Sequence, residues 1–183
     1  MDERPDTETQ PDLSSREALE ERFVQLYMRR VFVVIYRIVG NVSDAQDLTQ
    51  ETFIKALQRR EQLKDLEKAG HWLSRIASNT AIDFLRKRNR QNWTPLEDVA
   101  GALSMPGEAG PEAQLLAGEQ KSLLDEGLSK LTERERTALV LRDIEDLPAE
   151  EVAQRLNCGK ATVRSHIANA RVKFKRYLER RQP

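Results

Sequence analysis

The sequence predicts an all-α protein made of two small helical domains joined by a flexible linker. Three observations carry this reading. Leu, Ala, Arg, Glu, Lys and Gln, which lose little rotamer freedom in a helix, dominate almost every segment, while β-branched alternation is scarce and aromatics are only 5% of the chain. Apolar residues recur at steps of three and four, the spacing that lines one face of a helix. Residues 92–112 break that pattern with Pro95, Gly101, Pro106, Gly107, Gly110 and Pro111, a linker composition. The 183 residues then divide into an acidic tail (1–15) without periodicity, a first domain (16–91), the linker, and a second domain (113–181).

The first domain reads as three helices. From Ser15 to Val39, Leu19, Phe23, Leu26, Tyr27, Val31, Val34, Ile35 and Ile38 repeat at helical steps, and Gly40-Asn41 ends the run. Ser43 followed by Gln46 is a capping-box pattern, so a second helix is expected from Asp44 to about Arg59. After a polar stretch from Glu61 to Gly70, a third helix is expected from His71 to Asn89, with Leu73, Ile76, Ala77, Thr80 and Phe84 facing the core.

The second domain opens with a helix expected from Pro111 to Leu128. Thr132 and Glu135 repeat the capping-box spacing and start another through Leu141 to Asp143. Pro148, tolerated in a first helical turn, begins a short helix that ends near Leu156. Asn157-Cys158-Gly159 makes a turn, Asn157 being able to take a left-handed conformation, and a last helix runs to about Leu178.

Charge and composition narrow the function. Thirty basic and thirty acidic residues cancel, yet they are segregated. Residues 160–181 carry eight basic residues against Glu179, and residues 71–93 carry five against Asp83. Residues 97–126 hold seven acids against Lys121. Two basic modules on either side of an acidic tether suit a protein that touches a polyanion at two places. The start of the chain lacks a signal-peptide pattern, and its longest apolar stretch, Val31 to Ile35, is too short to span a bilayer, so a cytoplasmic protein without direct membrane insertion is expected. One cysteine, Cys158, and two histidines, His71 and His166, give no ligand set for a metal. No nucleophile–base constellation or Gly-rich phosphate loop stands out either, so neither catalytic residues nor a cofactor are expected, and an enzyme is disfavoured.

Three constellations carry the functional reading. Pro148 to Arg176 reads as helix, turn, helix, with Ala153 small at the crossing and Val163, Ile167, Ala170 and Phe174 as the buried stripe of the second helix. Its other faces present Lys160, Thr162, Arg164, Ser165, His166, Asn169 and, a turn later, Arg171, as a recognition helix does. Arg and Asn can grip guanine and adenine with two hydrogen bonds, while Lys and Thr suit phosphates. In the second helix, at about 100° per residue, Asp47, Glu51 and Ile54 fall opposite Ala45, Thr52 and Ala56. An exposed Ile54 flanked by Asp44, Asp47 and Glu51 fits a docking face for a basic partner, although a solvated acidic surface is the plainer explanation of those charges. In the third helix Arg75, Asn79, Arg86 and Arg90 share one polar stripe opposite the core, a composition suited to single-stranded DNA. Trp72 and Cys158 are expected to pack rather than to act.

These segments resemble a known family. DAQDLTQETFIKAL and WLSRIASNTAIDFLRKRNR are similar to the core-binding and promoter-melting helices, regions 2.2 to 2.4, of extracytoplasmic-function (group 4) RNA polymerase sigma factors of the sigma-70 family. LTERERTALVLRDIEDLPAEEVAQRLNCGKATVRSHIANAR is similar to their region 4. The resemblance implies that the first domain is the region 2 bundle and the second the region 4 helix-turn-helix. It implies that Asp44, Asp47, Gln50, Glu51 and Ile54 dock on the β′ clamp helices of core RNA polymerase, with the β flap as a further contact. It implies that Arg75, Asn79, Arg86, Arg88 and Arg90, with the loop from Leu63 to Gly70, engage the −10 element of promoter DNA. The final helix would read the −35 element, and an anti-sigma factor would control the protein and could hold it at the membrane. The chain departs from the family pattern at Pro148, Asn157 and Ala161. A stand-alone helix-turn-helix regulator, which would bind duplex DNA tightly without polymerase, is the alternative.

Overall fold

A computed structural model describes residues 13–91 and 123–181, all the elements in them being helical. The first module is a bundle of α1 (Leu13–Val39), α2 (Val42–Gln58) and α3 (Ala69–Gln91), with short 3₁₀ turns at Arg60–Gln62 and Leu66–Lys68 between the last two. The second holds α4 (residues 123–129), α5 (Glu133–Leu139), a π turn at Val140–Ile144, α6 (Ala149–Leu156) and α7 (Lys160–Glu179). The tail to residue 12, the linker and the first part of the helix expected from Pro111 lie outside the described residues. Among the described residues no helix is long and apolar enough to cross a membrane, and no cluster of His, Cys, Asp and Glu could hold a metal ion.

The α1 stripe is buried where it meets α2 and α3: Val31, Val34, Ile35 and Ile38 are in the core. Leu19 and Leu26 are 68% and 70% exposed, contrary to the expectation that they join that stripe. At about 100° per residue they lie about a third of a turn away from its centre, too far round a rigid helix to reach the same face. Gly40, at φ +76°, closes α1, and its N–H donates to the Tyr36 carbonyl at 2.8 Å. The cap of α2 is Asn41, whose side chain accepts from the Asp44 N–H at 3.0 Å, so the expected Ser43–Gln46 box does not form. Gly40 turns the chain so abruptly that Asn41 already has the extended backbone a cap requires, and the helix begins two residues earlier than the box would place it. Lys55 Nζ donates to Thr80 Oγ1 at 3.2 Å and Arg30 Nε to Ser74 Oγ at 3.1 Å, tying both other helices to α3.

In the second module the expected box is present: Glu135 N–H donates to Thr132 Oγ1 at 3.4 Å, and Thr132 N–H to Glu135 Oε2 at 3.0 Å. Glu135 is 5% exposed and also accepts from Lys173 Nζ at 2.8 Å, which pins α5 to α7. Expected to continue to Asp143, α5 instead widens into the π turn, and Glu145 N–H reaches the Val140 carbonyl at 2.9 Å. Pro148 sits at the cap position rather than inside the first turn of α6, with extended ψ of 144°.

The two modules are packed together. A single hydrophobic cluster runs from Val31, Ile35, Ile38, Leu73 and Leu85 into Leu139, Leu141, Val152, Val163 and Ile167. Arg136 of α5 donates through Nε to the Ile38 carbonyl at 3.1 Å and through a terminal nitrogen to the Val39 carbonyl at 3.2 Å. Those carbonyls have no helical partner at the end of α1, so the guanidinium serves as a cap supplied by the other module. Its nitrogens lie 3.0 Å from where a Cβ on Gly40 would stand. A sequence of two basic domains and a linker gives no hint of this embrace.

Candidate nucleic-acid interface

The turn between α6 and α7 is set by Asn157, at φ 50° and ψ 51°. Its N–H donates to the Gln154 carbonyl at 3.2 Å and that of Cys158 to the Ala153 carbonyl at 3.0 Å, the paired bonds of a Schellman close. Asn tolerates the left-handed region because its short polar side chain offsets part of the steric cost. Gly159 then caps α7 in an extended conformation. Val163, Ile167 and Ala170 are buried and Phe174 half-buried, as the spacing predicts. Lys160, Thr162, Arg164, Ser165, Asn169 and Arg171 are exposed on the remaining faces.

Several of these side chains already have partners. Lys160 bonds Glu150 across the turn, and that hydrogen bond is the main reason the Glu150 carboxyl lies below the usual range. Arg171 makes a two-pronged contact with Asp143 at 2.9 and 2.8 Å. Ser165 Oγ donates back to the Ala161 carbonyl at 3.1 Å. His166 departs from the expected open face. It is half-buried and, with Cys158, lines a cavity of about 70 Å³ whose other wall is Ile82, Leu85, Arg86 and Asn89 of α3. Three residues after Val163 and four before Ala170, His166 stands at the edge of the buried stripe, and the packing of α3 against that edge covers it.

On α3 the polar stripe is real: Arg75, Asn79, Arg86 and Arg90 are all exposed, opposite buried Leu73, Ile76, Ala77 and Thr80. Asn79 and Arg86 line a cleft of about 410 Å³ with Lys55, Arg59, Thr80 and Asp83, closed on its far side by Gln154 and Arg155 of α6. Lys55 and Arg59 are cations that the sequence reading left out. Their signal was available, since they stand four residues apart at the end of α2 and so share a face. Arg88 is half-buried, its guanidinium 5.6 Å from the centre of the Phe84 ring, and it is ion-paired with Glu133 and, at 3.8 Å, with Asp44. Trp72 packs against the core and Cys158 is partly buried beside it.

On α2, Ala45, Thr52 and Ala56 are buried while Asp47, Gln50 and Glu51 are exposed around an Ile54 that is 58% exposed. Burying a branched aliphatic side chain normally gains about 1.5–3 kcal/mol, so an Ile left open within a ring of polar side chains is suited to contact. Asp44 differs from the rest. It is half-buried and turned toward Arg88 at the helix start.

The described residues thus form a helical protein that carries a helix-turn-helix with an exposed basic face, a second basic helix beside a polar cleft, and a separate acidic helix around an exposed Ile. Comparison with known proteins specifies it further. Residues 23–91 match the Sigma-70 region 2 family and residues 121–174 the Sigma-70, region 4 family. The chain is 31% identical to the ECF RNA polymerase sigma factor SigW of Bacillus subtilis, over 85% of this chain and 86% of that one. It is 33% identical to the RNA polymerase sigma-H factor of Pseudomonas aeruginosa, over 84% and 82%. Among solved structures it resembles the sigma factor RpoE of Bartonella quintana in complex with the anti-sigma factor NepR, at a TM-score of 0.58 and 20% identity, covering 87% of this chain and 96% of that one. The chain belongs to the extracytoplasmic-function sigma factors of the sigma-70 family.

Proposed function

We propose that this chain, as an alternative sigma factor, recruits core RNA polymerase to promoters by dividing three tasks among three helices. The acidic face of α2, Asp47, Gln50 and Glu51 around Ile54, docks on the polymerase at its β′ clamp helices, with Asp44 at the edge. The exposed stripe of α3, Arg75, Asn79, Arg86 and Arg90, with Arg88 beside it, holds the −10 element as its strands part. The open face of α7, led by Arg164 and Asn169 and supported by Lys160, Thr162, Ser165 and Arg171, enters the major groove at the −35 element, while the second module also meets the β flap. The chemistry of initiation belongs to the polymerase, and the sigma factor's contribution is binding. Extruding a base costs only a few kcal/mol, which contacts along α3 and its cleft can offset.

The observation that carries this reading is the coexistence of two exposed basic faces on separate modules with an acidic, Ile-centred face that neither DNA contact uses. Control by an anti-sigma factor is part of the proposal, supported by the likeness to a sigma factor solved with such a partner. Such a partner would cover the polymerase- and DNA-binding faces, and is a means of holding the protein near a membrane.

Run-off transcription from a set of candidate promoters, with core polymerase and with or without this protein, tests it. Promoter-specific transcripts are expected with the wild-type chain and are lost in the Asp47→Lys/Glu51→Lys variant. Tight duplex binding by the chain alone, with no polymerase association and no transcripts, would instead make it a stand-alone regulator.

A further inference from the structure

Lys55 stands between the acidic face of α2 and the basic stripe of α3. It lies one turn beyond Glu51 on α2, and its ammonium pairs with the Glu51 carboxylate at 2.6 Å. The same nitrogen donates to Thr80 Oγ1 of α3 at 3.2 Å. Thr80 is buried, whereas the Glu51 side chain is 49% exposed, so Lys55 is held by one fixed partner and one that solvent or another molecule can reach. An ammonium has three donors, and these two partners take two of them. Lys55 also lines both hollows beside α3. The first is the cleft of about 410 Å³ that contains Asn79 and Arg86. The second, of about 190 Å³, is bounded by Glu51, Thr80, Phe84, Lys87 and Arg90, and every described residue around it belongs to α2 or α3. Lys87 and Arg90 are exposed there, a composition that suits a phosphodiester.

We propose that the Glu51–Lys55 pair couples polymerase docking to the DNA grip of α3: a basic side chain of the polymerase that takes Glu51 releases Lys55 to a phosphate in the hollow between α2 and α3. The inference rests on the roles given above to α2 and α3 and supplies the link between them. Glu51 is the positioning residue and Lys55 the group that meets DNA. A second cation beside Glu51 weakens the carboxylate's hold on Lys55 and repels the ammonium directly, so both effects drive it toward an anion. No backbone movement is needed, because the charge rides on a flexible four-carbon stem. The coupling is reciprocal: a phosphate that draws Lys55 away leaves Glu51 open to the polymerase, by the same factor.

The test uses the full chain without polymerase, with fluorescence anisotropy of a labelled oligothymidylate followed across a salt series. Glu51→Gln imitates the docked state by discharging the carboxylate. Asp47→Asn, one turn earlier on the same face, measures what loss of a negative charge does without releasing Lys55. Glu51→Gln should bind about two- to fivefold more tightly than Asp47→Asn, the range that a partly exposed ion pair supplies. Its log affinity should also fall more steeply with log salt, by about 0.7 in slope, the signature of one added phosphate contact on a single strand. Lys55→Gln keeps a donor for Thr80 but no charge, and in that background the two differences should vanish. In a Lys55→Arg background they should remain, which distinguishes a phosphate ligand from a merely structural side chain. Equal binding and equal slopes for Glu51→Gln and Asp47→Asn, or differences that persist with Lys55→Gln, overturn the coupling. Run-off transcription tells this failure from the other: transcripts from the wild-type chain together with equal binding by the two variants sink the coupling and leave the sigma function standing, whereas absence of wild-type transcripts sinks the function on which it rests.

Discussion

Glu135 concentrates several demands on one side chain. It completes the Thr132 box, neutralises Lys173 and is buried between α5 and α7. Burial by itself pushes its carboxyl up, yet the hydrogen bonds from Lys173 and from the Thr132 backbone and hydroxyl together outweigh that push and hold it below the ordinary carboxylate range. A carboxyl whose folded pKa is depressed stabilises the fold above its unfolded pKa, about 4.3 for Glu, and loses that contribution as pH falls through the folded value. The second module is therefore expected to lose stability below about pH 4 through this group. Glu135→Gln should cost about 1–3 kcal/mol near neutrality and flatten the acid limb of the stability curve. Denaturant titrations of both proteins across pH measure this, and an identical acid slope in the variant would refute the assignment.

At the scale of elements, the second module is held together by close approach as much as by its apolar stripe. Gly127 in α4 has no Cβ because one would lie 2.3 Å from the Phe174 ring of α7. Phe174 in turn packs edge-on to Tyr177, whose hydroxyl donates to Glu126 at 2.7 Å, so α4 and α7 are joined on both sides of the glycine. Adding one methyl group there forces the ring off its rotamer or the helices apart. Gly127→Ala is expected to destabilise the module by about 1–3 kcal/mol, with α5 and α6 otherwise unchanged. Thermal unfolding monitored by circular dichroism would show it, and a variant as stable as the parent would mean that Phe174 swings aside freely. The helix-turn-helix itself was legible in advance, because Asn157, Ala153 and the four-three-four stripe are all local signals. Gly127 was not, since its role depends on a ring 47 positions later in the sequence.

At the scale of the whole molecule, the packing of the two modules on each other rests on two unlike forces. The apolar cluster shared by the modules is insensitive to moderate salt, whereas Arg37–Asp125 at 3.5 Å, Arg75–Glu151 and Arg88–Glu133 are partly exposed and screened. Pairs of this kind contribute a few tenths to about 1 kcal/mol each, so screening all three shifts the ratio of packed to separated modules by about tenfold. Small-angle scattering should therefore show the chain expanding as salt is raised from about 0.1 to 1 M, where the screening length falls from about 10 to 3 Å. A radius of gyration that does not move with salt would assign the closure to the apolar cluster alone.

The sequence by itself determined the helices, their buried faces and the two basic stripes, because each depends on residues within a few turns of one another. The 3.6-residue period fixes which side chains share a face, and a left-handed Asn or a Thr–Glu cap acts within four residues. It determined the family as well, since the motifs of both modules are contiguous stretches of chain. Only the tertiary structure decided that Asn41 rather than Ser43 caps α2, that Leu19 and Leu26 stay exposed, and that His166 turns inward. It alone paired Glu133 and Glu151 with the arginines of α3 and set Arg136 on the end of α1. Those contacts join residues 45 to 98 positions apart, a separation at which side-chain chemistry names many eligible partners and three-dimensional packing selects one.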